Sequence, residues 1–186
     1  MQLVESLKVC GEQTFQVRDR YGNIKPLWQE NIIGKFLRTK LKEMRIPFLT
    51  GNWSDKMVVK NLITLAGYAG IASRINGADG EAAFTYLELG IGNTAATTAD
   101  TALDSAITTV GLERKAATCT RETTTETDDT AQLYATWTAS GTKALVEAGA
   151  FNADTAGTML GRQVFSVITL DAGDSFAMTY KFKVSV

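Results

Sequence analysis

The sequence of 186 residues has no histidine, two prolines and two cysteines. Without histidine the chain lacks the usual general base near neutral pH, the commonest zinc ligand and every Ser-His or Cys-His nucleophile pair. Lys, Asp and Glu remain as bases, and none sits in a recognisable catalytic motif, so no catalytic residue is expected and the chain is read as a non-enzyme. Cys10 and Cys119 are too few for a disulfide framework and too far apart for a Cys-x-x-Cys metal or redox site. They are read as small hydrophobes in or near the core, with a bridge between them or between subunits left open.

An excess of one charge is also missing. Nineteen Lys and Arg stand against twenty Asp and Glu, so the whole molecule exerts no bulk pull on nucleic acid or an anionic membrane. The longest fairly apolar stretch, residues 57–75, is interrupted by Lys60, Asn61 and Arg74 and carries Gly67 and Gly70, which leaves it short of a membrane span. The start, Met1-Gln2-Leu3-Val4-Glu5-Ser6-Leu7-Lys8, lacks the basic, apolar and small-residue regions of a signal peptide. A protein made in a cytoplasm, with no membrane partner, is expected.

What charge there is lies unevenly. Residues 1–60 carry a net +5 and residues 61–186 a net −6, which suggests a boundary near residue 60: a basic strand-and-helix segment over 1–60 that docks or is inserted, then a body over 61–186. Head-to-tail contact between copies is one consequence; two solvated surfaces that never meet is the other.

Phe15-Gln16-Val17-Arg18 alternates and runs into Asp19-Arg20-Tyr21-Gly22-Asn23, predicting strand, turn and second strand through Ile24. Ile32, Ile33, Phe36, Leu37, Leu41 and Met44 follow helical spacing, with Lys35, Arg38, Lys42 and Arg45 mostly on the other face. Pro47 stops this basic amphipathic helix, and residues 48–53 read as a loop bearing Phe48 and Trp53. A second helix is expected over 62–75, with Leu62, Leu65, Ala66, Ala69 and Ile75 on its inner face and Asn76-Gly77 as its stop.

From Phe84 onward the chain is rich in Thr and β-branched residues separated by Gly, Asp and Asn. Six strands are expected, over 84–91, 112–122, 131–139, 144–151, 159–170 and 175–186. In the last, Phe176, Met178, Tyr180, Phe182, Val184 and Val186 share one face, and Leu133, Ala135, Trp137 and Ala139 share another. Half-buried strands at this spacing predict a mainly β fold: an antiparallel β-sandwich, jelly-roll or Ig-like, with one or two α-helices in the N-terminal half.

Site signals are few. Gly90-Ile91-Gly92-Asn93 follows a predicted strand but lacks the third Gly of a dinucleotide loop, so it reads as a strand-end turn rather than a phosphate site. The pairs Asp128-Asp129 and Asp171/Asp174 read as turns; no metal or cofactor is expected. The segment 118–130 is read as a solvated hairpin, with a contact loop as the alternative. Lys35, Phe36, Arg38, Lys42, Arg45, Phe48 and Trp53 are the candidate assembly contact. For this basic face protein contact stands first, a solvated surface second and nucleic-acid phosphate third. A small-molecule substrate is not expected.

Several segments together resemble a family of tailed-bacteriophage virion structural proteins. They are Val17-Arg18-Asp19-Arg20-Tyr21-Gly22-Asn23-Ile24, Lys60-Asn61-Leu62-Ile63-Thr64-Leu65-Ala66-Gly67, Phe84-Thr85-Tyr86-Leu87-Glu88-Leu89-Gly90-Ile91-Gly92-Asn93-Thr94 and Asp100-Thr101-Ala102-Leu103. Val146-Glu147-Ala148-Gly149-Ala150-Phe151-Asn152, Gly157-Thr158-Met159-Leu160-Gly161-Arg162 and Leu170-Asp171-Ala172-Gly173-Asp174-Ser175 complete the set. Residues 31–53 read as an insertion relative to that pattern. The resemblance implies a non-enzymatic, β-rich particle component of tail, collar, fibre-associated or minor-head type, found in the virion and partnered by copies of itself and by other virion proteins. The alternative is a host-surface or glycan-binding module, with Trp28, Trp53 and Tyr134 as stacking groups.

Overall fold

The computed structural model describes residues 8–31 and 51–185. Alternation of apolar and polar residues builds most of it. In β1 (Lys8–Arg18) Phe15 and Val17 are buried and their neighbours Gln16 and Arg18 are not. Asp19 then closes the expected turn, its carboxylate accepting the amides of Tyr21 and Asn23 at 2.8 and 2.9 Å, and the chain returns as β2 (Ile24–Lys25).

The remaining strands are β3 (Leu27–Glu30), β4 (Gly51–Ser54), β5 (Met57–Ile63), β6 (Tyr86–Gly90), β7 (Lys115–Ala116), β8 (Thr118–Glu122), β9 (Thr130–Thr138), β10 (Lys143–Phe151), β11 (Met159–Leu170) and β12 (Ser175–Ser185). The main sheet runs β7-β6-β10-β11-β5-β1-β12-β9-β8, antiparallel throughout. The mainly β, antiparallel class is as expected from the sequence, and the six predicted strands all appear, that over 112–122 divided into β7 and β8.

The sheet is one continuous path because β5 pairs with both β1 and β11. Its two ends, β7 and β8, are separated in the chain only by Ala117, whose amide donates to the Thr85 carbonyl at 2.8 Å. The facing layers expected of a sandwich are therefore joined as a nearly closed barrel. Register shifts between β10 and β11 at Leu145/Glu147 and Ala150/Phe151 supply the local twist such curling needs, and closure hides strand edges that would otherwise template aggregation. A large apolar cluster fills the interior, where Phe15 meets Phe165 at 4.4 Å between ring centroids and Phe176 at 5.7 Å, and Leu103, Phe151 and Met159 form a smaller one.

Two expectations are corrected here. Residue 60 is not a structural boundary, because β1 lies in the middle of the sheet between β12 and β5, and Phe15 and Val17 belong to the core. The body thus includes residues 8–31 and 51–60.

The second correction concerns the helix. Residues 62 and 63 pair with Arg162 and Gly161 as part of β5, so α1 spans Leu65–Asn76. Thr64 caps it, its Oγ1 accepting the Gly67 amide at 2.9 Å and donating to the Met159 carbonyl at 2.6 Å. Gly77, at φ 72°, ends it as anticipated. The inner face, however, is Gly67, Gly70 and Ser73, while Leu65 is 63 % and Ile75 76 % exposed. Contact with backbone selects this small-residue face: a Cβ on Gly67 would lie 2.1 Å from the Leu160 carbonyl oxygen.

The substitution Gly67→Ala therefore separates propensity from packing. Helix propensity alone would gain about 1 kcal/mol; the collision is expected to reverse the sign and cost about 1–3 kcal/mol. Denaturant melts check it, and a stabilised variant would contradict the close approach of α1 to β11.

Candidate functional site

Of the seven residues of the candidate assembly contact, Lys35, Phe36, Arg38, Lys42, Arg45 and Phe48 lie outside the described residues. So does the amphipathic helix expected around them. Trp53 is described and is 61 % exposed, but on strand β4 rather than in a loop. β3 and β4 pair antiparallel, with Trp28 opposite Trp53 and Glu30 opposite Gly51. The two indoles meet edge to face at 5.5 Å, and Trp28 is buried at 5 % exposure, so it is withdrawn as a stacking group; Trp53 and Tyr134 remain exposed. β3 and β4, which flank the basic stretch in sequence, are paired neighbours.

The strongest polar cluster was not anticipated. Glu147 on β10 is fully buried. Its Oε1 accepts the amides of Gly92 and Ser105 at 2.9 and 2.7 Å, and its Oε2 accepts the Asp104 amide at 3.0 Å and Arg162 Nε at 2.7 Å. Arg162, on β11 and also buried, donates further to Asp100 Oδ2 at 2.7 Å and the Thr94 carbonyl at 3.0 Å. One carboxylate and one guanidinium thus pin the connection between β6 and β7 against the sheet at several points. The Gly92 amide, which a dinucleotide loop would offer to phosphate, donates to the protein's own Glu147 carboxylate.

A second charged pair supports the same connection further on. Arg114 binds Glu88 of β6 through two bonds of 3.1 and 2.9 Å, donates to the carbonyls of Ala153 and Ala156, and lies 3.8 Å over the Phe151 ring. The signal for both clusters was present in the sequence. Glu88, Glu147 and Arg162 are lone charges within apolar strands, and a charge in such a position is retained when it is paired.

The aspartate pairs act in turns. Asp174 Oδ2 accepts Lys25 Nζ at 2.6 Å and the Asp171 amide at 2.9 Å, so the segments 17–24 and 170–175, distant in sequence, meet beside Lys25. Lys25 is raised above its ordinary pKa: burial lowers it, but the hydrogen bonds and charges of Asp174 and Asp171 prevail. Asp129 closes the loop before β9 by accepting the amides of Thr124, Thr125 and Glu126. Desolvation works against these bonds, and they still hold the carboxyl well below the usual range. Among the described residues no group of three or more His, Cys, Asp or Glu is placed to hold a metal ion.

Segment 118–130 contributes the hairpin β8–β9, with β8 largely exposed. Cys10 and Cys119 are both free and exposed, which corrects the core-hydrophobe reading. Cys10 lies opposite Lys183 on the outer face of β12, and Cys119 lies opposite Leu133 on the exposed strand β8. Among the described residues no helix is long and apolar enough to cross a membrane.

Asp100 carries a pH dependence. Burial raises its pKa, but the Thr97 hydroxyl and amide and the Arg162 guanidinium outweigh that and hold it below the ordinary value. A carboxyl depressed in the folded state contributes stability above its unfolded pKa, about 3.9, and that contribution disappears as pH falls through the lower folded value. Asp100→Asn is therefore expected to flatten the acid limb of the stability curve, read from denaturant midpoints across the acid range. An unchanged acid limb would contradict the assignment. Compared with protein-family models, curated proteins and solved structures, the chain matches none.

Proposed function

We propose that the chain is a non-enzymatic structural component of a tailed-phage virion, assembling in several copies on the particle at the neck or collar, the tail or the capsid exterior. The observation that carries this reading is the basic sequence that links the paired strands β3 and β4. Residues 32–50 hold Lys35, Arg38, Lys40, Lys42 and Arg45 against the single acid Glu43, and the strands on either side of them in sequence pair with each other. A basic segment of this kind, in a chain whose other residues are net acidic, suits contact with a neighbouring subunit, and symmetry multiplies such contacts in a particle. The resemblance of the segments to virion proteins supports the same reading. Two groups of those segments meet in space, one at Glu147 and Arg162 and the other beside Lys25 and Asp174.

Joining Asn31 to Gly51 through a short glycine-rich turn tests the reading. β3 and β4 then become a simple hairpin, so the barrel is expected to fold with its melting temperature nearly unchanged, while incorporation into particles falls at least tenfold. Full incorporation of the folded deletion variant would refute assembly through this segment.

One observation favours a host-surface or glycan-binding module as the second reading. Tyr21 is 76 % exposed at a cleft of about 470 Å³ that also presents Asp19, Arg20, Lys25 and Asp171, an aromatic face beside hydrogen-bond donors and acceptors. Saturable binding of the isolated protein to host cells or glycans, lost in Tyr21→Ala, would favour it.

A further inference from the structure

Helix α1 ends on the sequence Asn76-Gly77-Ala78-Asp79-Gly80, and all five residues are exposed. Asn76 is the one asparagine of the chain that glycine follows; isoleucine, tryptophan, leucine, threonine or alanine comes after the others. Three hydrogen bonds make the cap. The Gly77 amide donates to the Ser73 carbonyl at 2.7 Å, the Ala78 amide to Asn76 Oδ1 at 2.9 Å, and the Ser73 hydroxyl to the Ala78 carbonyl. The bond from Ala78 folds the Asn76 side chain back across the Gly77 peptide, so an amide carbon and a main-chain nitrogen are held as neighbours.

That arrangement sets an electrophile beside a nucleophile. When the Gly77 nitrogen attacks Asn76 Cγ and gives its proton to a base in solution, the N–Cγ bond forms and the Cγ–Nδ2 bond breaks. Ammonia leaves, and a five-membered succinimide closes. Water then opens the ring at either carbonyl, giving aspartate or, where the main-chain carbonyl is attacked, isoaspartate with the chain running through the former side chain. Water is the only co-reactant. Glycine has no Cβ to crowd the ring or to limit its torsions, whereas Asn52 and Asn61 precede Trp53 and Leu62 within strands. Asp79-Gly80 has the same spacing, but a carboxylate is a poorer electrophile than a carboxamide. The restraint on Asn76 is the bond from Gly77 to Ser73, which occupies the nucleophile; it lies at a helix end, where local opening is least costly.

We propose that Asn76 is a site of spontaneous, irreversible modification, converted to aspartate and isoaspartate through a succinimide with Gly77. This site is independent of any role in a particle. Both products loosen the end of α1. Each places a negative charge at the C-terminus of the helix, where the macrodipole disfavours it, and isoaspartate also lengthens the main chain between Ser73 and Gly77, which displaces the capping amide. The test ages the full chain in mildly alkaline buffer at physiological temperature and maps its peptides by mass spectrometry, with a fragmentation that tells isoaspartate from aspartate. Asn76 is expected to convert before any other asparagine and before Asp79, roughly fivefold more slowly than in the chain unfolded in guanidinium chloride, because the Gly77 bond must open first. Aged protein, resolved by its added negative charge on ion exchange, should melt below fresh protein, and Asn76→Ser aged in parallel should keep its charge. Asn76 left intact in the native protein while the unfolded chain converts would overturn the proposal, as would faster conversion at another residue. Aged and fresh species with one melting temperature would overturn the effect on the cap.

Discussion

Glu147→Leu is expected to destabilise the protein by about 3–5 kcal/mol, the cost of stranding one member of a buried ion pair. The substitution leaves the Arg162 guanidinium, 3 % exposed, with Asp100 as its remaining ionic partner, and removes the acceptor for the amides of Gly92, Asp104 and Ser105. Glu147→Gln, which keeps an acceptor oxygen but loses the charge, should fall between the two. Replacing both partners, Glu147→Leu with Arg162→Leu, should cost clearly less than the sum of the single changes, because no charge is then left buried without its counterpart. Urea melts of the four proteins form the cycle. Additive effects would mean that the two side chains act separately, and the connection between β6 and β7 would need another explanation.

Trp137→Ala is expected to cost a similar amount, about 3–5 kcal/mol, by a different route. Trp137 is buried on the inner face of β9, packs 5.9 Å from Phe176 on the neighbouring strand, and donates Nε1 to the Glu113 carbonyl at 2.8 Å. Its removal opens a cavity in the centre of the core and leaves that carbonyl without its donor. Lys183→Ala is the comparison on the outer face of the adjacent strand. From sequence it is expected to be nearly silent, but Lys183 reaches Thr125 and lies 3.9 Å from Asp129. A small loss, well below that of Trp137→Ala, is the corrected expectation. Equal losses in Trp137→Ala and Lys183→Ala would contradict the register of β9 and β12.

Strand-forming stretches were the most legible part of the sequence, because a period of two needs no knowledge of partners. Phe176, Met178, Tyr180 and Phe182 alternate with Ala177, Thr179 and Lys181, and β12 lies as the pattern predicts; the bounds of β11 agree with its predicted range. Closure of the barrel was not legible in the same way. It depends on β7 and β8 pairing with strands on opposite ends of the path, and nothing local in Lys115 to Glu122 specifies that.

The helix face was misread for a related reason. Counting apolar residues selects Leu65, Ala69 and Ile75, whereas contact with the Leu160 backbone requires the face with the least side chain. Gly67 and Gly70, three residues apart, could have suggested it. In the polar clusters, the presence of Glu88, Glu147 and Arg162 within apolar strands signalled buried partners. Their identities were fixed only when β10 and β11 paired and brought residues 147 and 162 together. Trp28 and Trp53 look equivalent in sequence, yet the fold buries one and exposes the other.

The most direct test of the proposed role is the copy number of this chain in purified phage particles, quantified by mass spectrometry against the major capsid protein. The account predicts stoichiometric presence: a dozen or a few dozen copies for a neck, collar, baseplate or fibre component, or hundreds for a capsid-coating or tail-tube component. Absence from the particle would contradict it and move the glycan-binding reading at Tyr21 to first place.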